Sequence, residues 1–366
     1  MGQSPDSDSY NDNEDGIPFF QGNADFGEKY PTTRKWCNAP TKIAHAEDIL
    51  ISVRAPIGAL NYAKEECCIG RGLAAITPNQ DKVSSGFIYW LLKGKHKELN
   101  LQGTGSTFKA ISRKVLEEIK VPDIELKKQT ELAGSLEKVY SVIQLRKQQL
   151  EELDILIKAR FVEMFGDPIQ NEKNWSRRSL EQLCHSIVDC PHSTPNYISE
   201  DTGFMCIRTS VVKKNKILWD EIEYIVEDEF NQRIQRKRPE KGDIVYTREG
   251  AILGIAAIID RNCNVALGQR SMLLSPDSSV CTSEFICTAM NSDSFLSNAL
   301  RGISGSASPH INVGDIKSFE MIAPPLELQR KFSEFNSQVD KLKVEVQKSL
   351  DEMQILFDSL MQEYFG

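Results

Sequence analysis

Apolar residues recur at steps of three or four through Leu132, Leu136, Val139, Ile143, Leu150, Leu153, Ile157, Phe161 and Met164. They do so again through Phe332, Phe335, Val339, Leu342, Val346, Met353, Phe357, Leu360 and Tyr364. That spacing draws one stripe along a helix. Proline is absent between Pro122 and Pro168 and again after Pro325, so each helix starts beside a proline and runs uninterrupted. Each register skips one turn, at Arg146 and at Ser349. A seam of about forty residues makes roughly 60 Å of helix. A helix with a single apolar stripe must bury it, and each has a partner of equal length in the same chain. The pattern predicts an antiparallel coiled coil in which Leu136, Val139, Ile143 and Leu150 pack with Val339, Leu342, Val346 and Met353. Two unrelated amphipathic helices on separate domains are the alternative.

Before each helix the texture differs. Short alternating segments, turn residues and prolines predict mixed domains with many strands. The two halves also echo one another. "ILIKARFVEMFG", ending at Gly166, is answered by "ILFDSLMQEYFG", ending at Gly366. "GTGSTFKAIS" aligns Gly105 and Ser106 with Gly305 and Ser306 of "GISGSASPHIN". "EDILISVRAPIG" and "GDIVYTREGAILG" both lead to an arginine, Arg54 or Arg248. "CCIGRGLAAITPN" and "NVALGQRSMLLSPD" share Gly70 with Gly268 and Pro78 with Pro276. Tyr10 and Gly16 match Tyr197 and Gly203. Five matches in one order mean a duplicated unit of about two hundred residues, far longer than a solenoid repeat. The fold class is therefore α+β: two similar mixed α/β domains, separated by two long helices packed as an antiparallel coiled coil, with pseudo-two-fold internal duplication. The boundaries fall at 1–122 and 167–322 for the domains, and at 123–166 and 323–366 for the helices.

Composition narrows the class. The 366 residues include 40% hydrophobic and 26% charged side chains, which is ordinary for a globular chain. The longest apolar run, "AILGIAAII" from Ala251, is too short to span a bilayer, so no membrane partner is expected. The polar, acidic first forty residues show no secretory signal. Nine cysteines, scattered and odd in number, fit a reduced, cytoplasmic chain. The net charge of −8 argues mildly against nucleic acid, although a local basic face counts for more than the total.

Candidate chemistry is sparse. "CHSIVDCPHSTP" gathers Cys184, His185, Cys190 and His192, yet the cysteines lie six apart and no second pair follows at a zinc spacing. The competing readings are buried cysteines beside a polar loop, or a contact surface made by "HSTP" with His192 and Thr194. Cys190 has no supporting motif as a nucleophile. "GTGSTFK" lacks the GK[ST] ending of a phosphate loop. No catalytic residue, metal or cofactor is expected. Positive charge is more suggestive. "NQRIQRKRPEKGD" concentrates Arg233, Arg236, Lys237, Arg238 and Lys241, and "RTSVVKKNK" adds Arg208, Lys213, Lys214 and Lys216. Such runs neutralise phosphates, or are simply solvated loops. Arg54 and Arg248, each following a strand, suit bidentate readout of guanine or a structural salt bridge equally. Arg71 and Arg270 sit just beyond the shared glycines and complete the candidate DNA-binding set.

With these residues assembled, the chain resembles the specificity (S) subunits of type I restriction-modification systems along essentially its whole length. "MGQSPDSDSYNDNEDGIPFFQGNADFG" and "DCPHSTPNYISEDTGFMCIRTS" look like the openings of two target-recognition domains. "GDIVYTREGAILG", "GSASPHINVGDIKSFEMIAPPLELQ" and the helix after "PPLELQ" are similar to the family's strand, closing and spacer segments. The resemblance implies a non-catalytic subunit that reads a bipartite target in double-stranded DNA, with the helices setting the gap. It implies as partners two modification (methyltransferase) subunits, joined by restriction subunits in the full complex. The alternative is a non-enzymatic coiled-coil adaptor with two protein-binding heads. One departure stands out: the lead-in "NEKNWSRRSLEQLCHSIV" of the second unit has no equivalent before "GQSP". The expectation is either a start further upstream or a first domain lacking one element.

Overall fold

The computed structural model describes residues 1–105, 109–301 and 309–366. In chain order the first part forms β1 (Tyr10–Asn11), β2 (Ile17–Phe20), β3 (Trp36–Cys37), β4 (Ile43–Ala44), β5 (Ile49–Ser52), β6 (Leu60–Tyr62), β7 (Cys67–Ile69) and β8 (Leu73–Ile76). Then come α1 (Ser85–Gly94), α2 (His96–Leu101), α3 (Arg113–Glu117) and the long α4 (Leu126–Phe165). The second part forms β9 (Arg177–Ser179), α5 (Leu180–Leu183), β10 (Cys184–Asp189), β11 (Met205–Ile207), β12 (Val212–Lys213), β13 (Lys216–Ile217), β14 (Glu223–Tyr224) and α6 (Glu227–Arg233). It continues through β15 (Ile244–Thr247), β16 (Ala256–Ile258), β17 (Val265–Leu267), β18 (Ser271–Pro276), α7 (Ser283–Met290), α8 (Asp293–Ala299), α9 (Val313–Ser318) and β19 (Glu320–Ile322) to the long α10 (Leu326–Phe365). Two compact units result, Met1–Gln148 with Gln347–Gly366, and Gln149–Val346, so each long helix is shared between them.

The second unit is built around β15. Its four residues are all buried, not alternately so, because each face of the strand meets a core. Ile244 and Tyr246 join Phe161, Phe165, Phe285 and Phe332 in one cluster, while Val245 joins Ile207, Val211 and Val265 in another. The order β10-β18-β15-β16 makes the central sheet, and β14-β11-β17 makes a second, in which β11 and β17 run parallel. The lead-in supplies β9, which pairs with β19, then α5 with a capping box at Ser179, then β10 along the edge of β18. The end of α4 is fixed here. Phe165 is fully buried, with ring centroids 4.9 Å from Phe285 and 5.6 Å from Phe332. Phe161 lies 5.5 Å from Phe332, and Asp154 pairs with Lys343 at 2.6 Å. Stepping back along α4 therefore means stepping forward along α10: the helices are antiparallel.

The first unit repeats this plan. β2 and β7 are parallel, matching β11 and β17, and β5 pairs with β6 and β8 as β15 does with β16 and β18. Gly16 and Gly203 both hold positive φ, which favours glycine, in the turn before the first of the parallel strands. The buried Asp48 and Asp243 carboxylates accept from the backbone N–H of His45 and Glu240, three residues upstream in each case. Gln129 and Gln329, one turn into the long helices, are both buried. Each accepts from the backbone N–H that opens α1 or α7, of Ser84 or Thr282, and donates to the carbonyl of Ile124 or Pro324. Here the end of α10 closes the core, with Phe365 5.1 Å from Phe87 and Phe357 5.5 Å from Trp90 and 5.8 Å from Tyr140. The sheet β6-β5-β8 has three strands, with no counterpart of β10 among the described residues.

Two readings of the repeat need correction. On the helices, Leu136, Ile143, Val339 and Val346 are buried, and Val139, Leu150 and Met353 are half-buried, but Leu342 is 51% exposed. The stripe on α10 steps from Val339 to Lys343 to Val346. The lysine stem covers the seam while its ammonium reaches Asp154, and Leu342 is turned about 100° away. On the strands, Arg54 and Arg248 are not equivalent. Ile111 donates to the carbonyl of Val53 and Ile311 to that of Arg248, while the bridge Arg54–Ala110 matches Glu249–His310. Arg248 therefore corresponds to Val53, and a one-residue offset puts its side chain on the opposite face from Arg54. The Ser106 and Ser306 match, with Gly302 and Gly305, lies outside the described residues.

Candidate nucleic-acid interface

In each unit a loop entering the domain meets the carboxyl ends of the two parallel strands. In the second unit that loop is 190–195, held down at both ends. The Cys190 N–H donates to the Ser271 carbonyl at 3.2 Å. Asp189 receives Arg248 in a two-pronged pair at 2.9 and 3.1 Å, and its carbonyl accepts from Arg236 at 3.2 Å. Arg233 is 7% exposed, pairs with Glu229 at 3.2 Å and donates to the carbonyl of Ser193 at 2.8 Å. The loop thus carries its exposed side chains on a rigid frame: His192, 3.1 Å from Asp189, and Thr194, whose hydroxyl donates to Gln269 Oε1 at 3.0 Å.

This sorts the candidate residues. Arg233 and Arg248 are structural, since both are buried and engaged by carboxylates and carbonyls, and neither reaches outward. Lys237 is half-buried against Asp243 at 3.2 Å. Arg208 is exposed but tied to Glu223, with its guanidinium 4.6 Å over the Tyr197 ring. Arg238 is exposed, and donates to Asn264 Oδ1 at 2.6 Å. Arg54, Arg71 and Arg270 are exposed, and their side chains have no hydrogen-bond or ion-pair partner among the described residues. The structure gathers His192, Thr194 and Arg208 around the ends of β11 and β17, and Arg71 around the equivalent end in the first unit, whereas the Arg270 side chain lies beside Gly250 in the turn after β15. Arg54 belongs to a neighbouring turn.

Sequence reasoning passed over Gln269 and Asp189. Gln269 follows the shared Gly268, as Arg71 follows Gly70, and that alignment was available. In the fold Gly268 donates to Ile207 and Gly70 to Phe20, so the two turns are equivalent. A Cβ at Gly268 would stand 2.9 Å from the Ile207 carbonyl oxygen, which explains the glycine.

The cysteines take different partners. Cys190 Sγ accepts from Ser271, His192 faces Asp189, and His185 faces Asp277 at 3.4 Å. Burial pushes the thiols of Cys67, Cys184, Cys206 and Cys281 up to about 12. A thiol whose folded pKa is raised favours the folded state fully below its unfolded value near 9, and loses that contribution as pH rises toward 12. Lys93, pushed down to about 8 by burial, works the other way between 8 and its usual value, but is one group against four. The urea midpoint is therefore expected to fall progressively above pH 9. A flat profile from pH 8 to 11 would show that these thiols are already accessible.

Among the described residues no helix is long and apolar enough to cross a membrane. The chain is 43% identical over 154 residues to a Methanocaldococcus jannaschii protein named as the MjaX type I restriction enzyme specificity subunit. Over 270 residues it is 23% identical to the MjaVIII specificity subunit of the same organism. These matches span 36% and 63% of the two relatives, and 42% and 70% of this chain. The fold is similar to the crystal structure of a type I restriction-modification S subunit from M. genitalium, with a TM-score of 0.61 and 15% identity. That similarity covers 100% of this chain and 92% of the other. The family model for the type I restriction modification DNA specificity domain matches residues 1–154 and 172–352, and the chain belongs to that family.

Proposed function

We propose that the chain is the DNA-reading subunit of a type I restriction-modification complex, each unit recognising one half of a bipartite duplex target. The observation that carries this is the repeated site: a pinned loop and two parallel strand ends, exposing arginine, glutamine, histidine and hydroxyl side chains. Hydrogen bonds from such groups specify bases, while neighbouring arginines position the backbone. The chain itself is non-catalytic and works in the cytoplasm. Its partners are two methyltransferase subunits, with restriction subunits added for cleavage. The reading heads are 1–122 and 167–322, and the spacer segments are 123–166 and 323–366. The acidic net charge, the one feature favouring a protein-binding adaptor, does not weigh against the local arginines.

Binding to duplex DNA at two salt concentrations tests the reading, because phosphate contact gives a steep salt slope. A salt-insensitive or undetectable interaction, with the methyltransferase subunit present, overturns it. The spacer gives a second test. Inserting four residues after Gln148 adds about one helical turn, some 6 Å, or one to two base pairs at about 3.4 Å each. Methylation mapping is expected to show a longer unread gap between unchanged half-sites. An unchanged gap in an active variant would rule out the helices as the ruler.

A further inference from the structure

The internal duplication pairs positions in the two units that the sequence alone does not distinguish as readers. Gly70 and Gly268 make the same hydrogen bond, to Phe20 and Ile207, and the next residues are Arg71 and Gln269. Both are flanked by a hydroxyl of the incoming loop from a residue that precedes a buried proline. The Arg71 N–H donates to Ser4 Oγ at 3.4 Å, and the Thr194 hydroxyl donates to Gln269 Oε1 at 3.0 Å. The Arg71 side chain is exposed and free among the described residues. The Gln269 side chain is half-exposed and its Oε1 is held by Thr194, while its Nε2 has no partner among the described residues. The neighbouring strand-end position carries the converse pair, Gln21 and Arg208, but Arg208 is already engaged by Glu223 and stacked on Tyr197.

We propose that Arg71 and Gln269 are equivalent specificity-determining positions, Arg71 selecting guanine in one half-site and Gln269 selecting adenine in the other. The chemistry is that of the side chains. Guanidinium donates twice to guanine O6 and N7, whereas a carboxamide both accepts from adenine N6 and donates to N7. This rests on the DNA-reading function proposed above and adds the residues and bases to it.

The test is selection from a pool of randomised duplexes by the full chain, assembled with a type I methyltransferase subunit. Wild type, Arg71→Gln, Gln269→Arg and Gln269→Ala are compared, with thermal melting as the control for folding. Gln269→Arg is expected to change one base of one half-site from adenine to guanine, by about tenfold in preference. Arg71→Gln is expected to make the reverse change in the other half-site, and Gln269→Ala to relax one position without a new choice. If wild type selects a bipartite sequence and the folded variants select the same one, this inference is wrong while the function stands. If wild type selects no sequence, the function fails and takes the inference with it.

Discussion

Arg248→Ala is expected to destabilise the second unit by about 3–5 kcal/mol, the range for removing one partner of a buried ion pair. The reason is Asp189. Its carboxylate is 16% exposed and holds Arg248 through two hydrogen bonds; without them it is a half-buried charge left with exposed His192 as its near neighbour. Urea unfolding would read the loss directly, with Arg238→Ala as a surface control expected to stay within about 0.5 kcal/mol. Replacing the pair together, Asp189→Leu with Arg248→Met, is expected to recover most of the stability, because the desolvation cost of both charges disappears. It is not expected to recover DNA selection, since the 190–195 loop would lose its anchor. An Arg248→Ala protein with an unchanged urea midpoint and lost DNA binding would show instead that Arg248 touches DNA.

Phe165→Ala should cost a similar amount, about 3–5 kcal/mol, as for an aromatic core truncation. Phe165 is fully buried, with three aromatic neighbours within 4.9 to 5.6 Å, and its carbonyl accepts from Trp175 Nε1 at 2.9 Å. Phe365, its counterpart, is half-buried, so Phe365→Ala should cost less. The location of the damage is more telling than its size. Hydrogen exchange is expected to accelerate around Phe285 and Phe332 in Phe165→Ala, and around Phe87 and Trp90 in Phe365→Ala. Faster exchange around Phe87 in the Phe165 variant would contradict the assignment of each helix end to its unit.

The long helices were legible because a period of 3.6 over forty residues is hard to produce by chance, and Pro122 and Pro325 marked their starts. The seam register was not fully legible. Leu342 looks apolar in the right place, and only the cross-helix partner Asp154 shows that Lys343 holds the position. The duplication was legible at its glycines, where close backbone approach and positive φ limit substitution. It misled at Arg54 and Arg248, which lie one residue out of register, and the charge run around Arg233 displays charge and not its partner. Arg248 meets Asp189 from fifty-nine residues away, and Arg233 meets a carbonyl forty residues away. Gln129 and Gln329 carry the same two hydrogen bonds 200 positions apart, but a lone polar residue in a helix's first turn announces nothing. The candidate site followed the same rule: its exposed arginines were visible, and the carboxylate that organises the loop was not.

The sharing of helices between units sets an order of manufacture. The first unit comprises the first 148 residues, yet it also needs 347–366. Phe87 and Trp90 acquire Phe365 and Phe357 only when the last segment of the chain has been made. At about 5–20 residues per second, residues 149–346 take roughly 10–40 s to synthesise. For that interval the earlier-made head waits on the ribosome with an aromatic face uncovered, while the later-made head has its own complement once Val346 emerges. Of the two units, the one whose strands are synthesised first is the one completed last.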